Sequence, residues 1–138
     1  MYQRIMVPVD LVHVERLEKA LESAADLSKH YGIPVTYVAV AATTPNEIAH
    51  TPEQHARKLE EFADQQARKY GLGETAAAFY TSHDPATDLD DKLLAAIDET
   101  GSDLVVMASH IPGFPDHIFS SNAGTVAYNA RVSVFVIR

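Results

Sequence analysis

Short, unbroken apolar runs alternate along this chain with longer stretches of helical period, and that order constrains the fold more than any other feature. Ile5 to Val9 is apolar until it stops at Asp10, and Val35 to Ala41 and Leu104 to Ala108 repeat the type. None of these shows the polar alternation of a half-solvated strand, so each is expected to be covered on both faces. A weaker strand is expected over 75–82, and Val132 to Ile137 supplies a fifth. Between them, Leu17, Leu21 and Ala24, with Ala20, Leu27 and Tyr31, predict a helix over 13–31 stopped by Gly32. Thr51-Pro52-Glu53-Gln54 joins a hydroxyl cap, a proline at the first helical position and a glutamine three after the cap. The helix it opens should bury Ala56, Leu59, Phe62, Ala63, Ala67 and Tyr70 and end at Gly71 and Gly73. Leu89, Leu93, Ala96 and Ile97 mark a third helix ended by Gly101, and Ala123, Val126, Ala127 and Ala130 a short fourth.

Strand and helix by turns imply parallel pairing through right-handed crossovers: a three-layer, doubly wound α/β fold with a five-stranded parallel sheet and four helices. At 138 residues the chain suits one domain, 1–138, with a real core. There is no internal repeat and no low-complexity tract. In such sheets ligands sit at the carboxyl ends of strands, where neighbouring connections leave in opposite directions. The loops that qualify are those at Asp10, at Val40 to Ala42, and from Ala108 to Ser121.

Composition narrows the function. No cysteine is present, which excludes disulfides, thiolate metal sites and thiol catalysis. A net charge of −8 disfavours a nucleic-acid partner, because broad phosphate-backbone affinity comes from lysine and arginine. The acidic residues concentrate around two helices, Asp84, Asp88, Asp90, Asp91, Asp98 and Glu99 on one and Glu47, Glu53, Glu60, Glu61 and Asp64 on the other, and read as solvated faces. No apolar run is long enough to cross a membrane, and Met1 to Asp10 lacks the form of a signal peptide, so a cytoplasmic protein is expected.

Asp10 has two readings: a carboxylate facing the crevice to accept from an amine, a ribose hydroxyl or a magnesium shell, or a cap for the next helix. One residue can do both. Ser120, Ser121 and Asn122 enter the last helix, where unpaired N–H groups suit a phosphate; they equally suit capping. His110 has Asp116 and His117 on the same loop, but the spacing gathers no metal ligands and His110 has no evident nucleophile. No metal site and no catalytic residue are therefore expected. Phe114, Ile118 and Phe119 suit either a lid or a partner interface.

Val-Pro-Val-Asp at the first strand, Met107-Ala108-Ser109-His110 after the fourth, Ser120-Ser121-Asn122-Ala123 before the last helix and the final Val-Ser-Val-Phe-Val-Ile together resemble the universal stress protein family over nearly the whole chain. The resemblance implies an adenine nucleotide α-hydrolase-like sheet of strand order 3-2-1-4-5 and an adenine nucleotide ligand. ATP is the first candidate, with magnesium or as AMP or ADP instead. It implies Asp10 and Val40 for adenosine, and Ala108, Ser109, His110, Ser120, Ser121 and Asn122 for ribose and phosphates. Pro8, Val9, Met107 and Ile111 belong to the same set. It also implies a stress-response role with little or no turnover, and a homodimer in which the last strands meet; an edge covered by the chain's own helix is the alternative. The family's usual loop carries glycines where this chain has Ala108, Ile111 and Ser120. Ile111 is the sharpest departure, because a β-branched residue resists positive φ and its side chain crowds a phosphate. A dimer acting through protein contacts alone is thus the competing function. An adenylyl-transferring enzyme is disfavoured by Leu-Val-His-Val-Glu after Asp10, where a glycine-serine phosphate loop belongs.

Overall fold

The structure is a computed structural model that describes residues 1–109 and 122–138. Its frame is a five-stranded, all-parallel sheet in the order β3-β2-β1-β4-β5. The strands are β1 (Ile5–Pro8), β2 (Val35–Ala42), β3 (Thr75–Ser82), β4 (Leu104–Ala108) and β5 (Ser133–Ile137). The helices are α1 (Glu18–Tyr31), α2 (Pro52–Tyr70), α3 (Pro85–Thr100) and α4 (Asn122–Asn129). The architecture is the one expected from the alternation of patterns.

The two-residue period of a strand sends alternate side chains to opposite layers. Ile5, Val7 and Val9 join Tyr37, Ala39 and Val106 under α1 and α2, where Leu17, Leu21, Ala24, Leu59 and Phe62 pack on them. Met6, Val38, Val105 and Met107 face the other way, against Leu89, Leu93, Ala96 and Ile97 of α3 and Ala123 and Val126 of α4. Because β1 and β4 have both faces covered, polar residues have no place within them, which is why the sequence there is an unbroken apolar run.

Helix ends follow local chemistry. Thr51 caps α2 by accepting from the Gln54 N–H at 3.1 Å, and the Gln54 side chain accepts from the His50 N–H at 2.7 Å, one residue ahead of the cap. α1 and α2 end at Gly32 and Gly71, whose φ of 65° and 68° lie in the left-handed region that glycine takes without strain.

Two expectations are corrected. The helix over 13–31 is not one helix: Leu11–Leu17 is a 3₁₀ segment broken by non-helical backbone at His13, and α1 begins at Glu18. The tight turn is set by Asp10, whose carbonyl accepts from the His13 N–H at 3.1 Å. The buried stripe of α2 is also rotated. His55 and Gln66 are buried with Leu59, Phe62 and Ala63, while Ala56, Ala67 and Tyr70 are only partly so. Nor are all the carboxylates of α3 solvated. Asp88 accepts from the Ser82 hydroxyl at 2.7 Å, and Asp90 has a buried Oδ1. Among the described residues no helix is long and apolar enough to cross a membrane.

Candidate functional site

A cleft of about 210 Å³ opens at the carboxyl ends of β1 and β2. Its position follows from the winding: the chain leaves β1 toward β2 through α1, and reaches β4 on the other side of β1 only after β3 and α3. At such a reversal no connection covers the strand ends.

The cleft has an apolar end and a polar end. Val38 and Val40 of β2 and Leu89 and Leu93 of α3 build the apolar walls, with Pro85 at the rim. Pro8, Val9, Asp10 and His13 bring the polar end from β1 and the turn after it. Pro8 pairs with Val38, and the Val9 N–H donates to the Val38 carbonyl at 2.8 Å, so the extended chain carries Asp10 to the level of Val40. Pro8, Val9, Asp10 and Val40, four of the residues singled out from sequence, thus line one cleft.

The capping reading of Asp10 holds, and the same residue lines the cleft. Its Oδ1 accepts from the Val12 N–H at 3.0 Å and caps the 3₁₀ turn, while Oδ2 meets His13 Nδ1 at 3.1 Å. The side chains of His13 and Asp10 remain 30% and 20% exposed, so the pair faces the cleft rather than the core. An ionised carboxylate has about four acceptor positions, and two are used here by the chain itself.

The remaining candidates that the structure describes lie on β4, just after it and at the start of α4. Met107 is fully buried in the layer beneath α3 and α4, and Ala108 and Ser109 are half-buried at the strand's end. The Ser109 N–H donates to the Ile137 carbonyl at 2.7 Å, which prolongs the β4–β5 ladder. Asn122 opens α4. His110, Ile111, Ser120 and Ser121 lie outside the described residues, as do Pro112, Phe114, Asp116, His117, Ile118 and Phe119.

Among the polar residues of the cleft, His13, Asn46 and His55 escaped the sequence reading. Asn46 lines the cleft from the β2–α2 loop and uses its Oδ1 to accept from the N–H groups of Ile48 at 2.8 Å and Ala49 at 3.0 Å. His55, from the first turn of α2, is 7% exposed and stacks on Phe79 with ring centroids 4.5 Å apart. Burial holds the His55 pKa below the usual histidine range, against the smaller opposing pull of the Asp10 charge. A neutral ring in an apolar wall is the result. The signal that could have found His55 is its place four residues before Leu59, on the same helical stripe.

A doubly wound parallel sheet with a cleft over the ends of its central strands defines the class: α/β domains whose small-molecule sites lie at the carboxyl edge of the sheet. Within that class the match is specific. The model of the universal stress protein family matches residues 1–138, and the chain belongs to that family. It is 26% identical over 145 residues to universal stress protein G of Escherichia coli O157:H7, covering all of both chains. To universal stress protein G of Salmonella typhimurium it is 26% identical over 149 residues, again with full coverage of both. Among solved structures, the universal stress protein from Archaeoglobus fulgidus in complex with dAMP superposes with a TM-score of 0.69 at 24% identity, over 99% of this chain and 98% of that one. A universal stress protein in complex with cAMP gives a TM-score of 0.68 at 15% identity, over 99% and 97%. At these identities the structural likeness establishes the fold.

Proposed function

We propose that this chain is a single-domain, cytoplasmic stress-response module that holds an adenine nucleotide, ATP foremost, with little or no turnover, and that it works as a homodimer. One observation carries the reading: a partly exposed carboxylate, Asp10, stands at the polar end of a cleft with apolar walls at the sheet's reversal point. Apolar walls suit a purine, and a carboxylate suits the hydroxyl donors of a ribose. Strand order supports the orientation. With β1 between β2 and β4, a base over β2 and phosphates by Ala108 and Ser109 at the end of β4 leave the sugar at Asp10. The complexes of family members with dAMP and cAMP support the ligand class.

The test is a thermal-shift titration with ATP, ADP, AMP and cAMP, with and without magnesium, on the native chain and on Asp10→Ala. Ligand binding to the folded state alone raises the midpoint by mass action, so about 100 times Kd stabilises by about 2.7 kcal/mol. Selective stabilisation by adenine nucleotides, lost in Asp10→Ala, is expected. No shift with any of the four sinks the nucleotide role.

The reading of a dimer that acts through protein contacts draws on a separate observation. β5 is an edge strand, and Phe135 at its centre is 46% exposed. Exposed apolar edges invite strand pairing. Under this reading the dimer persists while no nucleotide shifts the midpoint.

A further inference from the structure

Among the described residues His55 is the only buried histidine, and it lines the cleft. The fold around it opposes a positive charge. Phe79 stacks on the ring with centroids 4.5 Å apart and planes at 22°, an apolar cover, and no ion pair among the described residues reaches it. His55 also stands in the first turn of α2, where the positive end of the helix dipole disfavours a cation.

One neighbouring group favours the charged ring. The turn after β1 brings Asp10 to the same cleft, with His13 in contact with it, and the Asp10 charge pulls the His55 pKa up while burial pulls it down more strongly. The other elements at the cleft contribute no charge: the loop after β2 gives neutral Asn46, and α3 gives Pro85, Leu89 and Leu93. On α2 itself, Glu53, Arg57 and Lys58 are exposed, Lys58 with Glu61 at 4.0 Å, and Leu59 one turn on is buried.

An imidazolium in these surroundings depends on water, and the cleft brings water to this wall. A molecule that fills the cleft displaces that water and raises the cost of the charge. We infer that His55 is a proton-linked gate of the cleft: ligand and proton exclude each other, so acidification empties a site that is filled near neutral pH. This rests on the nucleotide-binding reading above and adds its regulation. The filled form has the lower His55 pKa, so affinity is full above the pKa of the open form. It falls as pH drops through that pKa, by at most about tenfold per pH unit for one proton, and binding in that range releases a proton. Phosphates beside Ala108 and Ser109 leave this sign intact. They stand at β4, whereas Phe79 belongs to β3, three strands and about 14 Å away, beyond a Debye length.

The test uses cAMP, whose phosphodiester exchanges no proton near neutral pH, and adenosine, which has no phosphate. Calorimetric Kd values are measured from about pH 8 to about pH 5, the range in which histidine titrates, on the native chain, His55→Phe and His55→Gln, with circular dichroism confirming the fold at each pH. Heats in two buffers of different ionisation enthalpy count the protons released, and NMR follows the His55 ring with and without ligand. In the native chain both Kd values should rise toward acid, approaching tenfold per pH unit, with proton release on binding. Both variants should lose that slope, whatever their affinity at about pH 8, and the native His55 ring should titrate at lower pH in the complex.

A pH-independent affinity, or proton uptake on binding, overturns the inference and leaves nucleotide binding standing. So does an acid loss that persists in both variants, which assigns it to His13 and Asp10, or one seen with cAMP but not adenosine, which assigns it to the phosphate. Where neither variant folds, the native ring signal decides, and a His55 pKa in the complex equal to or above that of the free chain overturns the gate. Failure of both ligands to bind the native chain at about pH 8 overturns the inference and the nucleotide reading together.

Discussion

Tyr37 lies on β2 in the core layer under α1 and α2, is 0% exposed, and its hydroxyl has no hydrogen-bond partner among the described residues. The ring itself is well used, packed edge-to-face on Phe62 with centroids 5.3 Å apart and planes at 82°. Tyr37→Phe keeps the ring and removes the unpartnered group, whose burial costs about 1–3 kcal/mol. With 138 residues at about 2.1 cal/mol/K each, the unfolding entropy is about 0.29 kcal/mol/K, so each kcal/mol moves the midpoint by about 3.5 °C. Tyr37→Phe should therefore raise the midpoint by about 3–10 °C in calorimetry at pH 7. Alkaline pH supplies a second reading of the same group. Burial pushes the Tyr37 pKa up from its ordinary value near 10, with a smaller push in the same direction from Tyr70. The unfolded chain then loses the phenolic proton first, so native stability is full below about pH 10 and is lost as pH rises beyond it. Tyr37→Phe should shed part of that alkaline loss, leaving the part due to Tyr80, whose pKa is pushed up to about 12 by burial and the nearby Glu99. An unchanged or lowered midpoint at pH 7 would refute the reasoning, because it would mean that the hydroxyl has a partner worth keeping.

Two predictions concern the edges of the same architecture. Folding lowers the His55 pKa, so below about pH 6.5 the unfolded chain takes up more protons than the native one, and stability present above that pH is lost as pH falls. His55→Phe, which keeps an aromatic ring over Phe79, should flatten the stability profile between about pH 7 and pH 5 in urea titrations; an acid limb as steep as the native one would exclude His55 as its source. Phe135→Glu places a charge at the middle of the exposed edge and should convert a dimer into a folded monomer in sedimentation velocity, with the circular dichroism spectrum unchanged. A native chain that sediments as a monomer removes the homodimer from the proposal.

The sheet was legible because its strands report their burial directly. Leu104 to Ala108 is covered by α1 on one face and by α3 and α4 on the other, so hydropathy alone marks it, and Val134 and Val136 alternate with exposed Ser133 and Phe135 as a strand with one packed face until Ile137, which is buried in the opposite layer. The 3₁₀ segment was not legible. Over the seven residues from Leu11 to Leu17, periods of 3.0 and 3.6 place the same apolar side chains inward, and the deciding feature is a side-chain bond from Asp10 that no periodicity records. His55 and Gln66 were missed on α2 for a related reason. A polar residue on a buried stripe subtracts from the hydrophobic pattern, and what makes it tolerable, the stack of His55 on Phe79, joins elements 24 residues apart in the chain. The apolar wall from Leu89 and Leu93 was read correctly as core, but that the same residues also border the cleft depends on where α3 crosses β2.

Asp10 shows why capping and ligand contact should not be weighed as alternatives. Its two bonds to Val12 and His13 fix the carboxylate's direction, so under the proposed nucleotide reading a ligand meets an acceptor that is already ordered. The same economy makes the Asp10→Ala experiment ambiguous on its own, since it removes a cap worth about 0.5–2 kcal/mol along with the proposed ligand contact. Asp10→Asn resolves this. Its amide oxygen can still cap the turn through the Val12 N–H, but its NH₂ group is a donor where the carboxylate had an acceptor, facing His13. A variant that melts like the native chain yet takes up no nucleotide locates the loss in the acceptor, whereas parallel losses of stability and binding in both variants would assign Asp10 to the turn alone.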